Sequence, residues 1–382
     1  MLNLLDSLKL FRKDLHCYPE LSGNEIQTSR KITKYLTETN ACKIINNIGG
    51  NGLAYIYDSG NKGPVLLFRA DIDALPINEY NPQIDYISKN NGIAHLCGHD
   101  GHTAVLCGLT KLIDKNPPVR GKIVLLFQPA EETGQGARKV INDKKFNQIK
   151  PDYAFAFHNL PGFTKNSLVI KNDAFASAST GIIINLKGLS SHAAYPEDGN
   201  NPDLCMSELI KQLNLIKSEN IFTDFVLLTI IHAKLGEQAF GTCPGEAVIM
   251  LTIRAYQNQD LKKLKALVLA KTNEICKSYN IKNSIKFTEE FPASINNSKC
   301  VEIIKNAAIE NKTEIIDLKE AFRWSEDFGH FTINSKAAIF GIGSGVNHPQ
   351  LHNENFDYPD EITETAINIF YTIYKNFQAY DE

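Results

Sequence analysis

The sequence lacks the features that mark membrane proteins and nucleic-acid-binding proteins. No run approaches the ~18 consecutive apolar residues that a membrane-spanning helix needs. A formal net charge of −3 over 382 residues gives no polycationic surface. The opening residues have neither the basic start nor the continuous apolar core of a secretory signal, and their pattern is that of an amphipathic helix. We therefore expect no membrane and no nucleic-acid partner.

The eight cysteines also lack paired spacing, and no Cys-x-x-Cys pair occurs in the chain. Without an export signal, such cysteines are expected to be reduced, buried thiols, with one candidate metal ligand among them. A purely structural zinc site needs four protein ligands, often in two pairs. The sequence therefore predicts a cytoplasmic protein, and any metal site in it must draw ligands from distant positions.

One short stretch, His95 to His102, concentrates three imidazoles, one thiol and one carboxylate in the order His-Leu-Cys-Gly-His-Asp-Gly-His. Its two glycines allow a sharply turning loop, and the apolar residues that follow have helical spacing. Thiolate and imidazole together suit zinc or a similar divalent metal. A lone Cys or His in such a loop is usually structural, but this density of ligand types favours a metal site.

Polar residues follow three apolar segments that we predict to be buried strands. Asp71 and Asp73 come after the first, the doublet Glu131-Glu132 after the second, and His158 after the third. An isolated acidic pair is most often a solvated turn, and Asp71 and Asp73 could equally be turn caps. Open α/β sheets, however, place their ligand sites at the carboxyl ends of strands. Neighbouring side chains in extended backbone point in opposite directions, so one Glu could bind metal while the other acts as a base.

Length and composition indicate a globular protein of two domains or one large elaborated domain, with 43% hydrophobic and 22% charged residues. The repeated order of strand, polar loop and helix predicts an α/β fold with a mixed sheet flanked by helices. From Ser179 the order changes to β-α-β-β-α-β, a compact α+β unit. We expect a catalytic domain over 1–178 and 292–382, with this unit inserted at 179–291.

Near the N-terminus, Ser22 followed by Glu25 is a capping-box pattern. It predicts the start of a second helix that extends to about Leu36.

Six spaced motifs stand in order along nearly the whole chain and together resemble the M20 metallopeptidase family. Within it they are similar to the aminoacylase and hippurate hydrolase type of amidohydrolase. The motifs are Arg69-Ala-Asp71-Ile-Asp73-Ala-Leu-Pro76, Cys97-Gly-His99-Asp-Gly-His102, Phe127-Gln-Pro-Ala-Glu131-Glu132, Phe157-His158, Ser191-His192-Ala-Ala-Tyr-Pro196 and Leu351-His352-Asn353.

The resemblance implies a catalytic α/β domain that binds two divalent metals and an inserted lid domain that also forms dimers. It implies that Glu131 is the general base and that a lid histidine, His192, stabilises the oxyanion, commonly across the dimer interface. The implied metal ligands are Cys97, His99, Glu132, His158 and His352.

Some positions depart from the family pattern or stay open. Gly241 stands where the family often has an asparagine, which weakens any transfer of substrate specificity. Arg254 could pair with a substrate carboxylate or could be a surface or interface arginine. Asp71 is expected to orient metal ligands, and Asp100 to act in the same way or to cap the helix.

The expected function is metal-dependent hydrolysis of the amide bond of an N-acyl amino acid or a related small conjugate. The metal could be zinc, manganese, nickel or cobalt. One alternative is a dipeptidase or exopeptidase that uses the same site. A non-catalytic homologue and a structural zinc in a binding protein are further alternatives, and the complete ligand set with an intact Glu131 argues against them.

Overall fold

A computed structural model describes residues 2–216 and 220–379 of the chain. The chain divides into two compact units, the first formed by 1–175, 294–321 and 326–382 and the second by 176–293 and 322–325. The predicted domain ranges include positions 1, 217–219 and 380–382, which lie outside the described residues. The predicted domain limits stay a prediction.

The first unit is built on an eight-stranded sheet in the order β1-β2-β4-β3-β5-β16-β6-β15. Its strands are β1 (Lys43–Ile48), β2 (Gly52–Asp58), β3 (Val65–Asp71), β4 (Lys122–Gln128), β5 (Tyr153–Pro161), β6 (Leu168–Ile170), β15 (Ile315–Asp317) and β16 (Lys336–Gly345). Short strands β7 (Asp173–Ala176) and β14 (Ser294–Asn296) pair with each other. The four central strands run parallel, and β1, β2 and β6 add antiparallel pairings, so the sheet is mixed.

Helices cover both faces of this sheet, as a sheet with buried parallel strands requires. They are α1 (Leu2–Cys17), α2 (Ile26–Tyr35), α3 (His99–Lys115), α4 (Gly136–Asn142), α7 (Ser298–Glu310), α8 (Gly329–Asn334) and α9 (Thr363–Ala379). One large apolar core joins α1, α2, α3, α7 and α9 to the sheet. In β3, Leu66 and Phe68 point into this core, so Arg69 points to the opposite face, which α4 and α8 cover.

The parallel strands position the site. Because β3, β4, β5 and β16 run in the same direction, their carboxyl ends meet at one edge of the sheet. The loops that follow β3 and β4, and the last residues of β5, carry the polar groups identified in the sequence. The α3 helix begins at this edge with His99.

The start of α2 differs from the capping-box prediction. The helix is present, but the Ser22 hydroxyl does not cap it and instead donates to the Asp73 carboxylate. The Glu25 carboxylate accepts the N–H groups of Gly23 and Ala130. The predicted cap is therefore wrong, because longer-range hydrogen bonds compete for both side chains.

The second unit contains a four-stranded antiparallel sheet in the order β10-β12-β8-β13. Its elements are β8 (Ala178–Lys187), β9 (Ser191–His192), α5 (Asp203–Leu215), β10 (Val226–Leu235), β11 (Thr242–Cys243), β12 (Glu246–Ala255), α6 (Asn258–Ser278) and β13 (Lys282–Phe291). Buried residues alternate along β8 and β12, the pattern of a sheet with one face against helices. The β-α-β-β-α-β order agrees with the prediction. Within 2–216 and 220–379, no helix combines the length and apolarity needed to cross a bilayer.

Candidate active site

The loop before α3 folds tightly against the end of β5. Gly98 has a left-handed backbone (φ 99°), and a Cβ there would lie 2.2 Å from Asn159 Oδ1. A residue with a side chain would both strain the backbone and clash. The glycine thus lets Cys97 and His99, on either side of it, face the same space as His158.

Cys97, His99 and His158 form one group of candidate ligands. All three are buried, and one ligand atom from each lies within 4.8 Å of the others. The Cys97 Sγ is 3.5 Å from His158 Nε2. The group therefore has the size and the donor types of a metal site.

Cys97 belongs to a second group as well, with Glu132 and His352, whose ligand atoms satisfy the same 4.8 Å limit. The Oε2 atom of Glu132 is 3.8 Å from His352 Nε2, and its Oε1 atom is 3.7 Å from His99 Nε2. His352 has a left-handed backbone (φ 67°) and donates its N–H to the Leu96 carbonyl. The structure thus brings together all five predicted ligand side chains, with the thiol common to both groups.

The hydrogen bonds of the two buried histidines fit metal binding. His99 Nδ1 donates to the Asp73 carbonyl (2.9 Å), and His158 Nδ1 donates to the Asn159 carbonyl (2.8 Å). Since a carbonyl oxygen only accepts, each ring carries its proton on Nδ1 and presents the Nε2 lone pair to the group. His99 Nε2 and Glu132 Oε1 are among the twelve buried side-chain atoms that have no hydrogen-bond partner in the described part of the chain. Buried polar atoms without partners are costly, and a divalent cation would satisfy both.

Glu131 lies beside these groups, with a carboxylate oxygen within 4.8 Å of ligand atoms of His99 and Glu132. Its Oε1 accepts the Asp327 N–H (3.3 Å), and its Oε2 lies 4.0 Å from His99 Nε2. Burial, together with the carboxylates of Glu326, Glu132 and Asp327, raises the pKa of Glu131 well above its ordinary value. A carboxylate with a raised pKa next to a metal-ligand group is suited to accept and return a proton.

A buried arginine connects the acidic residues behind the site. Arg69, 1% exposed, donates to Asp71 Oδ2 (2.6 Å), Glu326 Oε1 (2.9 Å) and Asp327 Oδ1 (2.9 Å). The other Asp71 oxygen bonds to His102 Nδ1 (2.6 Å). Glu326 and Asp327 are not among the residues predicted from the sequence, although they form an adjacent acidic pair like Glu131-Glu132.

Replacing Arg69 by methionine is expected to lower the free energy of unfolding by about 3 kcal/mol, the lower end of the cost of breaking a buried ion pair. The substitution keeps the apolar volume but leaves three buried carboxylates without their shared cation. Urea unfolding of the metal-free protein measures the change. Exposed Arg30 serves as the control, since its replacement by methionine should leave stability within about 0.5 kcal/mol. A variant at Arg69 as stable as this control would contradict the prediction.

Asp100, the predicted orienting or capping residue, lies behind the ligand loop. It is fully buried and accepts from Arg12 Nη1 (3.1 Å) and bonds to His16 Nδ1 (2.8 Å). Burial lowers the pKa of His16, but hydrogen bonds to Asp100 and Glu79 outweigh it and raise that pKa to about 9. Asp100 is therefore held by cationic groups, and its neighbour His99 faces the opposite way, into the site.

The three remaining residues noted in the sequence, His192, Gly241 and Arg254, belong to the second unit. His192 is exposed on β9, and the Ala194 N–H donates to its Nδ1 (3.0 Å), so in the neutral ring Nε2 carries the proton. Gly241 accepts the Ala193 N–H (3.0 Å), and a Cβ built on it would have open space around it. Arg254 donates to the Arg323 carbonyl (2.9 Å) and to Ser325 Oγ (3.0 Å), both in the same unit.

The fold and the ligand cluster define a class of protein: a metal-dependent hydrolase of α/β architecture. The chain belongs to the peptidase family M20/M25/M40, whose model matches residues 67–376. This match confirms the family predicted from the motifs.

Similar proteins include a deacetylase and a metal-binding peptidase. The chain is 32% identical to the N-acetyl-L-cysteine deacetylase of Bacillus subtilis strain 168, over 93% of this chain and 83% of that protein. A solved Bacillus subtilis structure, a dinuclear metal-binding peptidase from the M20 family, matches with a TM-score of 0.83, 24% identity and 99% of both chains. An aminobenzoyl-glutamate utilization protein from Klebsiella pneumoniae matches with a TM-score of 0.74 and 18% identity, over 98% of this chain and 96% of that one. These structures share the fold and confirm the predicted α/β class.

Proposed function

We propose that the protein hydrolyses the amide bond of N-acyl amino acids or related small conjugates, releasing a carboxylic acid and a free amino acid. The observation that carries the proposal is the thiol of Cys97, which belongs to both ligand groups with Glu131 beside them. The deacetylase from Bacillus subtilis supports an N-acyl substrate, because it is similar over most of the chain.

Two divalent metals would be held by the five clustered side chains, with Cys97 as the shared ligand. One group is completed by His99 and His158, and the other by Glu132 and His352. Such a pair of ions would polarise the amide carbonyl and lower the pKa of water to near neutrality. A donor set of thiolate, imidazole and carboxylate accepts zinc, manganese, nickel or cobalt.

Glu131 is the proposed general base. It takes the proton from water as the amide carbonyl is attacked and then delivers that proton to the departing amine. Its hydrogen bond from the Asp327 backbone fixes one carboxylate oxygen and leaves the other directed toward the ligand groups. Asp71 and Asp100 orient the ligand loops through the contacts described above, and Arg254 is a candidate partner for a substrate carboxylate.

His192 is the proposed stabiliser of the negative charge that develops on the carbonyl oxygen. Its side chain is exposed, and in the neutral ring its Nε2 carries the proton that an oxyanion donor needs. Replacing it by alanine is expected to lower kcat by about 10²–10³-fold with unchanged metal content. Replacement by glutamine, which keeps an N–H donor, should recover part of the rate. An alanine variant with wild-type kcat would contradict this role.

A homodimer or a higher homo-oligomer through the second unit is also proposed. Its sheet leaves β10 at an edge, with Ile231 61% and Leu235 39% exposed. An edge strand with exposed apolar residues is a template for pairing with another chain. Sedimentation velocity tests this, and a monomer at all protein concentrations would contradict it.

We also propose a cytoplasmic location, which the free thiols of all eight cysteines support.

The function is tested with a panel of N-acetyl, N-benzoyl and N-succinyl amino acids together with dipeptides, each with added divalent metal. We expect turnover of N-acyl amino acids with release of the free amine. Faster hydrolysis of dipeptides would favour the alternative of a dipeptidase at the same site. No hydrolysis of any member would contradict the proposed function.

A further inference from the structure

The N-terminal segment, residues 12–25, reaches the ligand loops from behind. Its first contact is Arg12 on α1, which is 1% exposed. Its Nη1 donates to Asp100 Oδ2 (3.1 Å) and to Asp357 Oδ1 (2.8 Å). Asp100 directly follows His99, and Asp357 lies in the segment after His352. One guanidinium therefore joins two chain segments that carry candidate ligands from opposite ends of the sequence.

The second contact is Ser22, whose hydroxyl donates to Asp73 Oδ2 (2.6 Å). The same Asp73 oxygen accepts the Glu132 N–H (3.0 Å), and the Asp73 carbonyl accepts from His99 Nδ1 (2.9 Å). Ser22 thus fixes the side chain of Asp73, a residue that bonds to Glu132 through its carboxylate and to His99 through its backbone carbonyl.

The third contact is Glu25, which is fully buried. Its Oε1 accepts the N–H groups of Ala130 (2.8 Å) and Gly23 (2.7 Å). Ala130 has a left-handed backbone (φ 53°), which is unfavourable for a residue with a Cβ and persists only when its surroundings hold it. Because Ala130 immediately precedes Glu131 and Glu132, this hydrogen bond fixes the turn from which both side chains project.

We propose that Arg12, Ser22 and Glu25 are positioning residues of the metal centre, which hold its loops in the ligand geometry before the metal binds. The proposal rests on the proposed function and assigns a positioning role to residues that are not themselves candidate ligands. All three lie before residue 67, where the match to the family begins. Outer hydrogen-bond partners that orient ligands typically contribute about 10–100-fold to metal affinity.

The main test is cobalt(II) titration of the metal-free protein, followed by the visible absorption of a cobalt–thiolate centre. Glu25→Ala removes the acceptor for Ala130 and should weaken cobalt binding about 10-fold. Glu25→Gln retains an amide oxygen that can accept the same N–H and should restore most of the affinity. Ser22→Ala, a smaller change at a half-buried position, should also weaken cobalt binding.

A matched control comes from the same turn. The Glu20 carboxylate accepts the Thr28 N–H (2.8 Å) and hydroxyl (3.0 Å), so these two hydrogen bonds go to α2 and not to a ligand loop. Glu20→Ala should lower the urea unfolding midpoint but leave cobalt affinity unchanged. If Glu25 has a purely structural role, Glu25→Ala should also lower the urea unfolding midpoint and leave cobalt affinity unchanged, as Glu20→Ala does. Equal cobalt affinity in wild type, Glu25→Ala and Ser22→Ala overturns the proposal, as does an equal loss in Glu20→Ala.

The titration also separates this proposal from the proposed function. If the wild type binds cobalt but hydrolyses no member of the substrate panel, the proposed function fails and the positioning roles are still measured by affinity. If hydrolysis is found and the variants bind cobalt as tightly as the wild type, only the positioning proposal fails. A wild type that binds no cobalt overturns both.

Discussion

Replacing Glu131 by glutamine is expected to lower kcat for an N-acyl amino acid by about 10²–10⁴-fold, the range typical of general acid–base catalysis. Glutamine has almost the same shape and can accept the Asp327 N–H as the carboxylate does. It cannot take a proton from water, so the loss falls on the chemical step. Steady-state kinetics measure kcat, and mass spectrometry of the metals measures the metal content, which should equal that of the wild type.

The neighbouring residue provides the matched comparison. Glu132→Gln makes the same chemical change one position later, in a side chain that lies with Cys97 and His352 in a ligand group. This variant should lose bound metal, whereas Glu131→Gln should not. Wild-type kcat in Glu131→Gln, or metal loss equal to that of Glu132→Gln, would contradict the assignment of base and ligand.

Replacing Cys97 by serine is expected to weaken the binding of both metals. The loss of affinity should exceed the about 10–100-fold that is typical when a hydrogen-bond partner of a ligand is removed. The reason is that its sulfur belongs to both candidate ligand groups, the one that contains His158 and the one that contains His352. Alanine at His158 or at His352 should instead weaken mainly one of the two binding steps. Isothermal titration of each metal-free variant with zinc shows whether one or both of the two metal-binding steps are weakened.

The control for this variant is Cys107, a second buried thiol, in the helix that begins at His99. Cys107→Ser introduces the same hydroxyl into a buried position but removes no candidate ligand. It should lower stability and leave zinc binding unchanged. Two zinc equivalents bound to Cys97→Ser with wild-type affinity would rule out the shared ligand.

The positions of four of the five candidate ligands follow from simple rules, whereas His352 is expected only from the resemblance to the M20 family. Glu132 and His158 come at the ends of buried strands, and Cys97 and His99 lie in a glycine-containing loop that opens a helix. Parallel strands bring their carboxyl ends to one edge, so residues far apart in sequence meet there. In the same way, the periodicity of the second unit predicted its β-α-β-β-α-β order, since strand and helix patterns are local.

The residues behind the ligands could not be predicted from local patterns. Ser22 with Glu25 has the spacing of a capping box, yet the Ser22 hydroxyl bonds to Asp73, 51 positions away. The choice between a local cap and a distant carboxylate depends on tertiary packing, which spacing does not encode. Arg12 is one of several charged residues of an amphipathic helix, and two of its partners, Asp100 and Asp357, lie 88 and 345 positions away.

We propose that hydrolysis depends on two metals held by the cluster around Cys97. The most direct measurement is stepwise addition of zinc or manganese to the metal-free protein, with bound metal and hydrolysis of an N-acetyl amino acid followed together. We predict no hydrolysis without metal and full activity as the second equivalent per chain binds. Hydrolysis by the metal-free protein, or full activity with no bound metal at the cluster, would contradict the claim.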